Sequence, residues 1–78
     1  MLDEIREKIE SEIEALMSEL RVVLPERISR AVELGDLKEN SEYKAALERQ
    51  QFVQARMGHL SKRMSELSKI DVDAMPMD

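Results

Sequence analysis

The sequence has no cysteine and no tryptophan, and it contains only two glycines, two prolines, one tyrosine and one phenylalanine. Without cysteine, neither a disulfide nor a cysteine-ligated zinc ion can stabilise the chain. With so few aromatic side chains, a compact globular core would lack the bulk that it normally needs. No apolar run approaches the roughly 20 residues of a membrane span. The acidic start of the chain does not have the pattern of a secretory signal. We therefore expect a soluble cytoplasmic protein that makes no contact with a membrane.

Charge is what the sequence has in abundance. Charged residues make up 37% of the 78 positions, and the formal net charge is −5. An acidic chain lacks the cations that give proteins their affinity for phosphates, so we do not expect it to bind nucleic acid alone. High charge with little glycine or proline is typical of a long helix or a coiled coil. A chain this short buries only about 60% of its unfolded surface. Its stability must therefore come from one continuous contact between helices.

Apolar residues form two stripes at helical spacing, separated by one break. Steps of three and four are the signature of one helical face. The two stripes predict an all-α protein, a long antiparallel two-helix coiled-coil hairpin. The first stripe consists of Leu2, Ile5, Ile9, Ile13, Leu16, Leu20, Leu24, Ile28 and Val32. The second consists of Tyr43, Ala46, Gln50, Val53, Met57, Leu60, Met64 and Leu67.

The break between the stripes carries turn chemistry. Gly35 stands where a helix would end in a left-handed cap. Asn40 and Ser41 supply side chains that can cap a new helix. We therefore predict a hairpin over residues 1–70, with a helix over about 2–34, a tip at 35–41 and a helix over about 41–69. Pairing about the middle of this tip would place Leu20 near Val53 or Met57.

Two prolines mark irregular points. Pro25 lies inside the first helix, where it removes a hydrogen bond and its ring clashes with the preceding turn. Either the helix kinks there or two helices meet end to end, and the unbroken stripe favours a kink. Residues 71–78 lack the stripe and include Pro76, which predicts a tail or a linker to an absent second domain.

Three carboxylates, those of Asp36, Glu39 and Glu42, lie at the predicted tip. Asp36 followed by Glu39 matches a capping box for a helix that begins at Leu37. The alternative is a pair that binds a metal ion or orients water. Carboxylate oxygens suit magnesium, which usually takes one or two of them from a protein. A pair exposed at the end of a rod would have to complete a site that belongs to another molecule.

The order of the residues at the tip resembles that of a known family. The run from Gly35 to Tyr43, followed by Ala45-Ala46, Gln50, Phe52 and Arg56, resembles the hairpin tip and second helix of the bacterial transcript cleavage factors of the GreA/GreB family. The resemblance implies a hairpin that enters the secondary channel of bacterial RNA polymerase. There its tip acids help to hold magnesium and the attacking water while the polymerase cleaves backtracked RNA.

The resemblance also implies residue roles. By position, Asp36 and Glu39 would be the acids that act on the metal ion and water. Four neighbours would support the tip: Lys38, Asn40, Glu42 and Tyr43. The chain would be no enzyme and would need no cofactor of its own, because the magnesium and the active site belong to the polymerase. We expect it to work as a monomer.

The resemblance is incomplete in two respects. Family members usually carry a basic residue three positions before the tip glycine, where this chain has Val32. Arg49 and Arg56 are the candidates that remain for contact with the RNA 3′ end. The family also has a second domain that docks at the channel rim, so the sequence corresponds either to a first domain alone or to a short relative.

Two other functions stay open at the level of sequence. A non-catalytic binder or inhibitor could use the same rod in the same channel, although the presence of both Asp36 and Glu39 favours cleavage. A coiled-coil adaptor would need an apolar outer face, whereas the outer positions here are mostly charged.

Overall fold

A computed structural model describes residues 2–74, with their side chains through residue 70. Helix α1 spans Leu2–Ser18, a π-helical turn spans Glu19–Val23, and helix α2 spans Leu24–Glu33. These three form the first arm. Helix α3, Ser41–Ala74, forms the second arm and packs against both α1 and α2. No strand occurs within residues 2–74, and the predicted all-α helical hairpin is confirmed.

The π turn is how the first arm accommodates Pro25. Proline has no N–H to donate, and in a regular α-helix its ring would clash with the carbonyl one turn earlier. Here the N–H of Leu24 donates to the carbonyl of Glu19, five residues back, so the turn before Pro25 is wide. Pro25 itself lies in the first turn of α2, where a missing N–H costs least. The irregularity predicted at Pro25 is therefore a π turn within one arm.

The core is a single seam between the arms. Leu24 and Val53 are its fully buried large side chains. The buried residues of α3 lie at heptad spacing, whereas those of the first arm are spaced by seven, eight and seven. The extra residue falls in the π turn, which thus keeps the first stripe facing α3. The buried set is Ile9, Leu16, Leu24 and Ala31 in the first arm and Ala46, Val53 and Leu60 in the second.

The seam departs from the predicted stripe near the tip. Val32 was predicted to face α3, but it is 47% exposed, and Ala31 is buried in its place at 2% exposure. The reason is the length of the step taken after Leu24. The predicted stripe took two four-residue steps to Val32, whereas two turns of the regular helix α2 are closer to seven residues and lead from Leu24 to Ala31.

The axial register of the arms also differs from the prediction. Glu19 is paired with Arg49 across the seam, so Leu20 lies beside that part of α3. Leu20 packs against the buried cluster that includes Val53, one of its two predicted neighbours, whereas Met57 lies about two helical turns beyond Arg49. The prediction took the middle of 35–41 as the apex. In the structure Asn40 already bonds to Ala31, so the chain reverses near Gly35.

The described part of the chain is a rod of 65 × 17 × 15 Å. Helix α3 continues to Ala74, so the first four residues of the segment predicted as a tail or linker are helical. No glycine or proline interrupts the chain between Gly58 and Pro76, and the backbone can stay helical without a stripe. Residues 75–78 lie outside the described part. Within the described part, none of the helices is both long and apolar enough to cross a membrane.

Candidate functional site

The tip begins where α2 ends. The N–H of Leu34 donates to the carbonyl of Ala31 at 3.1 Å, and the N–H of Gly35 donates to that of Val32 at 3.0 Å. Gly35 then takes a φ of +78°, which confirms the predicted left-handed glycine cap. Asp36 follows with a φ of +45°, a region that few residues other than glycine, asparagine and aspartate enter readily. Two successive left-handed residues turn the chain back.

The acids do not form the capping box. Residues 37–39 form a turn, and α3 begins at Ser41 rather than at Leu37. The N–H of Glu39 donates to the backbone carbonyl of Asp36 at 3.1 Å. The capping-box reading is therefore wrong, because the backbone itself makes the bond that the Asp36 side chain would have made.

Asn40 is the residue that caps α3. Its Oδ1 accepts a hydrogen bond from the N–H of Tyr43 at 3.0 Å. Its Nδ2 donates to the carbonyl of Ala31 at 2.7 Å and to that of Gly35 at 3.2 Å. The sequence indicated the cap but not the bonds from the Asn40 amide to Ala31 and Gly35. The only hint was the residue type, since an asparagine amide is both donor and acceptor.

The carboxylates are presented to solvent. Asp36, Glu39 and Glu42 are all exposed, and all three border one shallow depression at the apex. Among the described residues, no group of three acidic or histidine side chains comes together to hold a metal ion. Lys38 is exposed in the same turn, and Tyr43 is half-buried at the start of α3. The tip thus offers separate carboxylates to whatever approaches it.

Arg49 and Arg56 lie away from the apex and are engaged with the first arm. Arg49 Nη2 donates to Glu19 Oε1 at 2.8 Å, and Nε donates to the other oxygen. Arg56 makes the same forked pair with Glu12, at 2.7 and 3.2 Å. The Arg49 guanidinium also lies 5.1 Å from the centre of the Phe52 ring. The two arginines therefore bridge the arms.

These pairs shift the ionisation of their members. The hydrogen bond from Arg49 lowers the pKa of Glu19, and that from Arg56 lowers the pKa of Glu12, in both cases against a smaller opposing effect of desolvation. The same bonds raise the pKa of the two arginines. Both pairs are partly exposed, so solvent screens them.

Two arginines beside the tip were not singled out from the sequence. Arg27 and Arg30 of α2 line an open groove with Ser41, Glu42 and Ala45 of α3. Arg30 also pairs with Glu26 one turn earlier, at 3.1 Å. Both arginines stand at helical spacing on the face beside the seam, and that placement was readable only once the register was known.

Comparison with known proteins finds relatives of this sequence. The family model for the N-terminal part of the transcription elongation factors GreA and GreB matches residues 1–68. The transcription elongation factor GreA of Pseudomonas aeruginosa is 44% identical over 68 residues, which are 87% of this chain and 43% of that protein. GreA of a Nitratiruptor species is 47% identical over 72 residues, or 92% and 44% of the two chains.

A third relative, GreA of a Sulfurovum species, is 38% identical over all 78 residues of this chain and 48% of its own length. The chain thus spans about half the length of the curated relatives that it matches. No solved structure matches it. An acidic apex on a two-helix rod, with a family match over nearly the whole hairpin, identifies the chain as a member of the GreA/GreB N-terminal family of transcription elongation factors.

Proposed function

We propose that this hairpin enters the secondary channel of bacterial RNA polymerase and stimulates the cleavage of backtracked RNA. In this proposal Asp36 and Glu39 are lent to the magnesium site of the polymerase. The match to transcription elongation factors supports a role in transcription elongation. The details come from the resemblance of the tip and from its geometry.

The observation that carries the proposal is the position of the two acids. Both are exposed at the apex of a rod that is 65 Å long and no more than 17 Å across. A hydrogen bond from the Glu39 N–H to the Asp36 carbonyl fixes the backbone between them. A rod of this shape can carry two carboxylates deep into a narrow channel and leave the rest of the chain outside.

The chemistry needs little more than those carboxylates. In two-metal phosphodiester cleavage, one ion activates the attacking oxygen and the other stabilises the leaving oxygen. Magnesium keeps most of its waters and accepts one or two carboxylates, so a pair from the tip can secure a loosely held ion and orient a water on it. The polymerase supplies the active site, and the hairpin acts as a stimulating factor and not as an enzyme.

The proposal also assigns partners. They are the RNA polymerase and the RNA 3′ end within its complex, with the hairpin acting as a monomer in the cytoplasm. Arg49 and Arg56 remain the proposed RNA contacts. Each uses Nε and Nη2 in its ion pair, so contact with RNA would fall to Nη1 or would require the pair to open.

The test is neutralisation of each acid without a change of shape. Asp36→Asn suits the left-handed backbone at that position, because asparagine tolerates it as well as aspartate does. Glu39→Gln keeps the side-chain length. We expect each variant to lose most stimulated cleavage on stalled polymerase while retaining its helicity and its binding. Glu48→Gln, on the exposed surface of α3, is the matched control and should cleave as the parent does.

Magnesium concentration sharpens the comparison. A carboxylate that secures a weakly held ion matters most when the ion is scarce, so the advantage of the parent chain should shrink as magnesium rises. If folded Asp36→Asn and Glu39→Gln variants stimulate cleavage as well as the parent at limiting magnesium, the cleavage proposal fails. A non-catalytic channel binder would then be the better account.

A further inference from the structure

Asn40 is the only asparagine in the chain, and its side chain joins three pieces of backbone. The acceptor Oδ1 holds the N–H of Tyr43 in the first turn of α3. The donor Nδ2 holds the carbonyl of Ala31 in the last turn of α2 and the carbonyl of Gly35 at the apex. One amide group therefore connects the end of one arm, the reversal of the chain and the start of the other arm.

This arrangement closes the loop that carries the acids. Residues 36–39 lie between Gly35 and Asn40, and the bond from Asn40 Nδ2 to the Gly35 carbonyl joins the two ends of that segment. Inside it, the N–H of Glu39 bonds to the carbonyl of Asp36. The bond to Ala31 then fixes the closed loop on the first arm. The backbone that bears both carboxylates is thus restrained by Asn40 at its base.

We propose that Asn40 is a positioning residue that sets the placement of Asp36 and Glu39 toward the polymerase magnesium. The proposal rests on the proposed function, since it assumes that these acids act on the metal ion. Asn40 touches neither metal nor RNA in this role. It acts by holding two acids in one geometry, and misplacement of a catalytic group by about 1 Å can lower a rate by on the order of a hundredfold.

Substitutions can separate two functions of the Asn40 side chain. One is the cap of α3, made by Oδ1. The other is a clamp, the two bonds from Nδ2 to the carbonyls of Ala31 and Gly35. Asn40→Ser retains a good helix cap, because a serine hydroxyl can accept from the amide of Tyr43. It cannot supply the two donors that hold Ala31 and Gly35. Asn40→Ala removes both functions. The serine variant is therefore the informative one, since α3 should still begin at residue 41.

Amide hydrogen exchange, measured by nuclear magnetic resonance on the whole chain, tests the clamp itself. In Asn40→Ser we expect faster exchange at Gly35 and Glu39, with exchange at Tyr43 close to that of the parent. In Asn40→Ala all three amides should exchange faster. Unchanged exchange at Gly35 and Glu39 in the serine variant would show that Nδ2 does not restrain the loop, and it would overturn the proposal.

Cleavage on stalled polymerase tests the consequence. Asn40→Ser should lower the maximal cleavage rate at saturating hairpin by about ten- to a hundredfold. The hairpin concentration that gives half of the maximal rate should not change, because the rod that binds is intact. If Asn40→Ser only weakened the fold of the hairpin, it would instead raise the concentration needed for half of the maximal rate or lower the melting temperature. Gln54→Ser, which removes an exposed amide from α3, is the control and should behave as the parent.

The two proposals fail in different ways. If Asp36→Asn and Glu39→Gln abolish cleavage but Asn40→Ser cleaves at the parental maximal rate with a loosened loop, the positioning role is wrong and the catalytic tip stands. If the acid variants cleave as the parent does, the proposed function fails, and the positioning role falls with it. The exchange data would then still report on the clamp alone.

Discussion

Asp36 combines an exposed charge with a backbone conformation that costs energy in most residues. Its φ of +45° follows directly on that of Gly35 at +78°. Aspartate tolerates this region because its short side chain can bond locally, whereas longer or branched side chains enter it at a cost of roughly 1–2 kcal/mol. Among the described residues other than glycine, only Asp36 has a positive φ. Strain of this kind often accompanies function, which agrees with the role proposed for this acid.

The two glycines provide a matched pair for measuring backbone conformation. A Cβ added at either Gly35 or Gly58 would meet nothing within 4 Å, so neither substitution creates a clash. Gly58→Ala, inside α3, should raise the free energy of unfolding by about 0.8–1 kcal/mol through helix propensity. Gly35→Ala should lower it by about 1–2 kcal/mol, because alanine must take the left-handed conformation. Urea unfolding followed by circular dichroism measures both, and changes of the same sign would contradict the assignment of φ at Gly35.

At the scale of the helices, neighbouring side chains of the arms differ in how far they are buried in the seam. Leu60 is 3% exposed, whereas its neighbour His59 points to solvent. Leu60→Ala should therefore lower the free energy of unfolding by about 2–5 kcal/mol, and His59→Ala should change it by less than about 0.5 kcal/mol. Leu20 is only half-buried, so Leu20→Ala should fall at the lower end of the same range. Thermal melts of the three variants check the order, and equal effects at 59 and 60 would mean that the buried face is wrongly assigned.

The bridges between the arms should make stability depend on pH in the acid range. Hydrogen bonds from the arginines hold the folded pKa of Glu12 and Glu19 below the unfolded value. A depressed acid stabilises the folded chain above its unfolded pKa, about 4.3 for glutamate, and that contribution is lost as pH falls through the folded pKa. The melting temperature of the parent should therefore exceed that of the Glu12→Gln and Glu19→Gln double variant at neutral pH.

The difference between these two chains should shrink as pH falls through the glutamate range. Raised salt should shrink it too, since both pairs are partly exposed. Glu10→Gln with Glu14→Gln, two exposed acids of α1, forms the control double variant. Should the control show the same loss as the paired acids, the effect would reflect total charge rather than the bridges.

The same bridges explain why the register was not predictable from the stripes. A heptad pattern defines which face of each helix is buried, but sliding one arm by seven residues preserves that pattern. Glu12 and Glu19 are one heptad apart, as are Arg49 and Arg56, so both pairs form together in this register. The period of the apolar residues was thus sufficient for the fold, and the axial alignment depended on specific side-chain pairs and on where the chain reverses.

At the tip, too, the sequence predicted some features and left others open. The left-handed glycine cap at Gly35 was predictable, because few other residues fit there. The cap of α3 by Asn40 was also predicted, but a cap by Asp36 stayed open, since both residue types match cap preferences. The π turn was not predictable, because Pro25 predicts an irregular helix without specifying its form. In each case two local solutions were compatible with the sequence, and tertiary contacts between the arms selected one.

For the whole molecule, shape follows from the lack of bulky side chains noted at the outset. One seam of aliphatic residues can join two helices, but it cannot draw a third layer onto them. The result is a rod with a radius of gyration of 17.9 Å over its Cα atoms. A compact domain of the same length would have a radius of gyration of about 11–12 Å. The larger radius of gyration reflects an elongated shape, in which the apex lies far from the other end of the rod.

Small-angle X-ray scattering therefore separates this fold from its alternatives. We expect a radius of gyration close to 18 Å, slightly increased by side chains and hydration, and a forward scattering that corresponds to one chain. Gly58→Ala should leave both values unchanged, since it alters helix stability and not shape. A value near that of a compact domain would mean that the arms bend back on themselves. A forward scattering that corresponds to two chains would mean that the seam is shared between molecules, and the monomeric rod on which channel entry depends would then be wrong.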